Sequence, residues 1–270
     1  MLSSTLSKST APDLFQMGGK VVLLTGAAGG FGRALAQGFA QFGASLVLVD
    51  QEAMALQALA TELETNGTPC LACAADVSVE SEVALVTARA LEHFNRIDVL
   101  LHVAGAAKLS PVTEMSTADF DFTIGSHLRG TFFLVRETGR IMCRQGGGSV
   151  VLMSSLASQR ALGRGTGPYA AAKAGVNALV RELAVEWAPH NIRVNAVAPC
   201  QFRTPGLLAM LADPNFNPGG DLQNRMVSAI PLGRLGEPAE LVGPCVFLAS
   251  EAGSMVTGQV LFVDGGYTAK

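Results

Sequence analysis

The sequence predicts an α/β protein: one doubly wound, seven-stranded parallel sheet with helices on both faces. Three observations lead there. From residue 20 to the end, short apolar runs alternate with longer stretches of helical pattern. The runs are apolar throughout rather than every second residue, which means cover on both faces, as in a parallel sheet. No linker-like break in composition divides the chain, so these elements form a single domain.

Each element can be justified in order. KVVLLTG (20–26) reads as a buried strand, and FGRALAQGFAQFG as a helix closed by Gly43. SLVLVD (45–50) is the second strand, followed by a helix that ends at Asn66–Gly67. LACAADV is the third strand, SEVALVTARALEHFN a helix, and IDVLLHVAG the fourth strand. A long helical stretch runs from Thr117 to about Arg144, before the fifth strand SVVLMSS (149–155). PYAAAKAGVN opens the next helix, with Pro168 suited to its first turn and the alanines to its body. IRVNAVAP (192–199) is the sixth strand. Residues 200–230, rich in Pro, Gly and Asn, read as irregular; the helix PAELVGPCVFLAS and the strand QVLFVDGG complete the pattern. The Ser/Thr-rich residues 1–17 read as a loose tail, leaving 18–270 as the folded domain.

Composition narrows the function classes. Hydrophobic residues make up 49% and charged residues 15%, a balance that suits a soluble protein which self-associates. A net charge of −3 gives no electrostatic case for nucleic acid or an anionic membrane. No apolar run approaches the roughly 20 residues that span a bilayer. Five scattered cysteines fit a reducing cytoplasm better than a disulfide framework. Cys70 and Cys73 form a CxxC, but on a strand positions i and i+3 face opposite sides. No second Cys/His pair completes a metal site, and none is expected.

In doubly wound sheets ligands bind beyond the carboxyl ends of the strands. After the first strand comes TGAAGGFG (25–32), running into a helix. Glycines there would let a diphosphate approach the backbone and the free N–H groups of the helix N-terminus. Glycines also serve ordinary tight turns, so the strand–turn–helix context carries the reading. Asp50 ends the second strand, where a carboxylate can accept from both hydroxyls of an adenosine ribose and would repel a 2′-phosphate. It could equally serve as a helix N-cap. Asp76–Val77 follow the third strand, and Ala104–Gly105, small enough for a nucleotide to lie on, follow the fourth. Ser154 and Ser155 follow the fifth. Tyr169 and Lys173, one helical turn apart, share a face. A phenol is a poor base near neutrality, and an adjacent ammonium group would stabilise its phenolate. Ser155, Tyr169 and Lys173 thus make a proton-transfer set.

Taken together these residues resemble the short-chain dehydrogenase/reductase family. The resemblance runs from about Gly19 to Tyr267 and includes Thr25–Gly32, Asp76, Ser155/Tyr169/Lys173, Asn195 and the tail PLGRLGEP…FLAS…VTGQVLFVDGG. It implies a Rossmann-type fold and an oxidoreductase moving a hydride between NAD(H) and a secondary alcohol or ketone. Tyr169 would be the general acid/base, Ser155 would hold the substrate oxygen, and Lys173 would lower the tyrosine pKa and bind the nicotinamide ribose. The implied cofactor site comprises Thr25, Gly26, Gly30, Phe31, Gly32, Asp50, Asp76, Val77, Ala104, Gly105, Tyr169, Lys173, Pro199, Phe202 and Thr204. Residues 200–230 would form a substrate lid, and homotetramers are usual in the family.

Three departures from the family pattern stand out. His102-Val103-Ala104-Gly105 replaces Asn-Asn-Ala-Gly, His127-Leu128-Arg129-Gly130 replaces a segment with a catalytic Asn, and Pro199-Cys200 replaces Pro-Gly. His127 would stand in for the relay asparagine as a neutral imidazole holding a water, with a histidine ionisation visible in the pH–rate profile. The alternative is that His102 and His127 only fill space. A polyol or sugar-derived alcohol is the first substrate expectation. A 3-oxoacyl thioester reductase, and a catalytically weak NAD-binding sensor or scaffold, are the alternatives. Arg160, Arg164 and Arg203 either face the substrate or are solvated loop arginines.

Overall fold

The structure, a computed structural model, describes residues 11–163 and 165–270. Its centre is a parallel sheet of seven strands in the order β3-β2-β1-β4-β5-β6-β7. The strands are β1 (Val21–Thr25), β2 (Ser45–Asp50), β3 (Cys70–Ala74), β4 (Val99–His102), β5 (Gly148–Met153), β6 (Ile192–Pro199) and β7 (Val260–Val263). The chain runs outward from β1 to β3 and then restarts at β4 on the other side of β1. That reversal leaves a crevice at the carboxyl ends of β1 and β4.

Alternate residues of each strand feed two cores. Val22 and Leu24 join one, packed under α1 (Gly30–Gln41), α2 (Ala53–Thr65) and α9 (Val242–Ala249). Val21 and Leu23 join the other, under α3 (Glu80–Phe94), α5 (Gly130–Gln145) and α6 (Gly167–Trp187). Cys70 and Cys73 divide in the same way, one to each core. Cover on both faces is why the strands read as unbroken apolar runs.

Three expectations need correction. The tail expected over residues 1–17 does not reach residue 17: Ala11–Phe15 form a 3-10 turn, and Met17 is 1% exposed with its N–H donated to the Phe42 carbonyl at 2.8 Å. Residues 1–10 lie outside the described residues. The stretch from Thr117 is not one helix. It is α4 (Thr117–Ile124), a π-helical turn over Gly125–Arg129, then α5. Residues 200–230 are not irregular either, for they contain α7 (Pro205–Ala212) and α8 (Leu222–Ala229). Thr204 Oγ accepts from the Leu207 N–H at 3.2 Å and Pro205 takes the first turn, so α7 begins as helices commonly do. Leu222, Met226, Ile230 and Leu235 make a small separate core that holds both helices over the sheet edge.

Candidate active site

Gly26 leaves β1 with φ +71°, and a Cβ there would lie 2.7 Å from the Ala104 backbone nitrogen. A Cβ on Gly32 would collide with the Gly26 carbonyl. Only glycine keeps this turn open against the first turn of α1. The cavity so formed, about 450 Å³, is lined by Gly26, Gly30, Phe31 and Gly32 from the first turn and by Asp50 from β2. Asp76 and Val77 line it from the end of β3, Ala104 and Gly105 from the end of β4, and Thr204 from the start of α7. Asp50 Oδ2 accepts from the Ala28 N–H at 2.9 Å and Oδ1 from Glu52 at 3.1 Å, which fixes the carboxylate at the cavity wall. A cradle that a Cβ would fill, a helix N-terminus and a fixed carboxylate fit a dinucleotide.

Sequence reasoning missed Glu52, Asp121 and Arg129, which also line this cavity. Arg129 is its one cation among the described residues, and it stands on the π turn rather than at the end of β2. Pro199 ends β6, buried, without lining the cavity. Phe202 packs edge-on to Phe31, ring centroids 5.5 Å apart, and lines the neighbouring cavity instead.

That second cavity, about 490 Å³, lies beneath α7 and α8 and is lined by both Ser155 and Tyr169. Phe31 and Thr204 line both cavities, so the two are neighbours. Ser155 is held by β5 and the 3-10 turn it caps, its Oγ accepting from the Ala157 N–H at 3.1 Å. Ser154 steadies the same loop through a 2.6 Å hydrogen bond to Asn177 Oδ1 on α6. Lys173 is 4% exposed, and its ammonium donates to the Met153 carbonyl at 2.6 Å. Burial lowers its pKa to about 7. Asn195 ties β6 to the segment before β7, donating to Val256 at 2.9 Å and accepting from Gln259 at 3.0 Å; its place is structural.

The expected lowering of the Tyr169 pKa is not what this arrangement gives. Burial raises the phenol above its ordinary value, and the hydrogen bond with Ser155 pulls it partway back. Desolvation outweighs the stabilisation that the Ser155 hydrogen bond gives the phenolate.

The two histidines behave differently. Thr25 and His102 are register partners on β1 and β4, with Thr25 Oγ 2.7 Å from His102 Nδ1. The same oxygen accepts from the Val103 and Ala104 N–H groups at 3.2 and 3.3 Å. With both lone pairs used, the hydroxyl proton must go to Nδ1, and His102 carries its own proton on Nε2. Thr25, expected at the cofactor, therefore works from behind: it holds the β4 turn that the cofactor cavity rests on. His127, on the π turn, packs edge-on to Tyr169 with ring centroids 4.9 Å apart. A Cβ on Gly105 would strike its ring. Both His127 nitrogens are buried and have no hydrogen-bond partner among the described residues. Burial and then Lys173 lower His102 to about 3; burial, Lys173 and His102 lower His127 to about 2. Both imidazoles are neutral at physiological pH. An ionisation near an ordinary histidine pKa is therefore not expected from His127.

Of the arginines expected near substrate, Arg160 donates to the Thr268 and Lys270 carbonyls at 3.1 Å each, and Arg203 pairs with Glu237 at 3.1 Å. Arg164 lies outside the described residues.

Residues 26–268 match a family model described as enoyl-(acyl carrier protein) reductase. A D-threitol dehydrogenase of Mycolicibacterium smegmatis is 37% identical over 95% of this chain and 95% of its own. The chain belongs to the short-chain dehydrogenase/reductase family. It is an oxidoreductase acting on CH–OH groups, and the family binds a nicotinamide cofactor. An NAD-dependent glycerol dehydrogenase of Listeria innocua is 35% identical over 95% of this chain and 96% of its own. A gluconate 5-dehydrogenase of Burkholderia cenocepacia, solved with NADP and tartrate, superposes with a TM-score of 0.89 at 31% identity, covering 97% of this chain and all of that one. Among the described residues no helix is long and apolar enough to cross a membrane.

Proposed function

We propose that this chain is an NAD-dependent dehydrogenase that interconverts a polyol or sugar-derived secondary alcohol and its ketone. One observation carries the reading: the Ser155 and Tyr169 hydroxyls line a cavity joined to the dinucleotide cavity through Phe31 and Thr204. When bound, the nicotinamide supplies the hydride acceptor or donor. Ser155 holds the carbinol oxygen by hydrogen bonding. Tyr169 takes the hydroxyl proton in oxidation and returns it in reduction. Lys173, fixed by the Met153 carbonyl, balances the phenolate and binds the nicotinamide ribose. The two unpartnered nitrogens of His127 hold a water between Lys173 and solvent, the place an asparagine takes elsewhere in the family.

The preference for NAD rests on charge. Asp50, Glu52, Asp76 and Asp121 line the dinucleotide cavity against one cation among the described residues, Arg129, and Arg33 on α1 is engaged by Glu62. A 2′-phosphate beside Asp50 would bring two anions together with no cation among the described residues at that strand end. The polyol substrate is supported by the threitol and glycerol dehydrogenases among the relatives. A thioester reductase usually pairs with NADPH, which the same charges disfavour, and intact Ser155, Tyr169 and Lys173 argue against a mere sensor. The enzyme works as a cytoplasmic homotetramer. Exposed Val185, Met255 and Leu261 supply apolar surface for self-association. The free cysteines suit a reducing compartment. The test is NADH formation across a panel of neutral polyols and hydroxy acids. Turnover of at least one alcohol is expected, and silence across the panel with cofactor bound would overturn the proposal.

A further inference from the structure

The cavity above Tyr169 has a chemistry of its own. None of the described residues that line it is charged. Its far wall is apolar, with Leu109, Leu162, Met210, Phe216 and Met226. Of the cations close in sequence to its lining, Arg160 and Arg203 are spent on backbone carbonyls and on Glu237, and the Lys108 ammonium lies over the Phe122 ring. A carboxylate or phosphate entering here would lose its water and meet no counter-charge among the described lining residues.

One polar group stands apart. Gln201 lines this cavity together with Ser155 and Tyr169, and its side-chain oxygen is buried with no hydrogen-bond partner among the described residues. Its backbone is pinned, since its carbonyl accepts from the Gly236 N–H at 3.0 Å beside the Phe202–Gly236 bridge. Of the other polar neighbours, the Thr204 hydroxyl caps α7, and the Asn215 amide donates to Asp213. A buried acceptor without a donor is costly, so the complement of Gln201 is a ligand O–H.

We infer, resting on the dehydrogenase reading above, that the substrate is an uncharged diol or its hydroxyketone with an apolar arm. The reacting carbinol sits at Ser155 and Tyr169, a second hydroxyl donates to Gln201 Oε1, and the arm lies against the α7–α8 wall. Oxidation moves the carbinol C–H as a hydride to the nicotinamide and the O–H proton to Tyr169, leaving a C=O bond. A chain of further hydroxyls would press against leucine and methionine, so within the polyol class the site favours a diol over a fully hydroxylated chain.

The test compares kcat/KM with NAD for four probes: a hexane vicinal diol, the matching secondary hexanol, threitol and gluconate. The diol is expected to lead, with the hexanol down about tenfold for the missing hydrogen bond. Threitol should fall below the diol, and gluconate about a hundredfold or more below it for the unpaired charge. Calorimetric affinities for NAD-loaded Tyr169→Phe should rank the probes in the same order. Gln201→Leu should erase the advantage of diol over hexanol, and Gln201→Asn should keep part of it, both with unchanged NAD affinity. Gluconate or threitol outranking the diol, or a diol advantage that survives Gln201→Leu, would overturn the inference and leave the dehydrogenase reading standing. No turnover of any probe would overturn both.

Discussion

Four carboxylates line the dinucleotide cavity, at Asp50, Glu52, Asp76 and Asp121, whereas the cavity beneath α7 and α8 has no charged lining among the described residues. The first is largely a backbone structure: glycines at a strand end, a helix N-terminus, and a carboxylate held by two N–H groups. The second is made by side chains from distant segments, brought together by the small core around Leu222 and Met226. A backbone-made site recognises what every dinucleotide shares. A side-chain-made site recognises one substrate class and changes with a few substitutions. Phe31 and Thr204 line both, Tyr169 only the second, and the comparison can be broken or sharpened by experiment.

The largest effect belongs to Tyr169. Tyr169→Phe keeps the packing against His127 and removes the ionisable group, so the rate of hydride transfer should fall about a thousandfold. NAD affinity, read by calorimetry, should change little. Normal turnover would move the proton transfer elsewhere.

The next effect separates the two cavities. Asp50→Ala should narrow the gap in kcat/KM between NAD and NADP by about tenfold or more, the scale of one relieved charge conflict. The ranking of alcohol substrates should stay as in the parent. A changed ranking would mean that the cavities are not separable.

His127 comes third. His127→Ala should lose about tenfold in kcat where His127→Asn retains most of it, because an amide still offers a donor and an acceptor to a water. His127→Asn should leave the ionisations of the parent pH–rate profile where they are, since burial and Lys173 hold His127 at about 2. Equal activity of the Ala variant across pH would leave His127 as packing alone.

The last effect is on stability rather than on rate. His102 and His127 have folded-state pKa values of about 3 and 2, well below the ordinary 6.5. Between those limits the unfolded chain binds protons that the folded chain refuses, so stability falls as pH drops below 6.5. The loss should approach about 1.4 kcal/mol per histidine for each pH unit. Urea titrations of the parent and of the double variant His102→Asn/His127→Asn should show the acid slope flattened in the variant. Parallel slopes would contradict the burial of neutral imidazoles.

The same contrast explains what could be read from the chain. Gly26, Gly32 and Asp50 were legible because their chemistry is local to one strand–turn–helix. Tyr169 and Lys173 were legible because a helix fixes which residues share a face. α7 and α8 were not, since eight residues carry too little periodicity to outweigh Pro205, Pro218 and Gly219–Gly220. The π turn that carries His127 was hidden inside a pattern that suits an unbroken helix on either side. The Thr25–His102 bond depends on the register of β1 against β4, and the burial of Met17 on a contact with residue 42. Neither is written in any local stretch. The rise in the Tyr169 pKa reflects desolvation by the whole surrounding shell, which spacing does not reveal.

The most direct measurement is kcat/KM of the parent enzyme for NAD and for NADP with one neutral diol at saturation. The carboxylate-lined dinucleotide cavity predicts NAD preferred by about a hundredfold, the scale of a few kcal/mol of unrelieved repulsion at Asp50. Equal use of the two cofactors, or a preference for NADP, would contradict it.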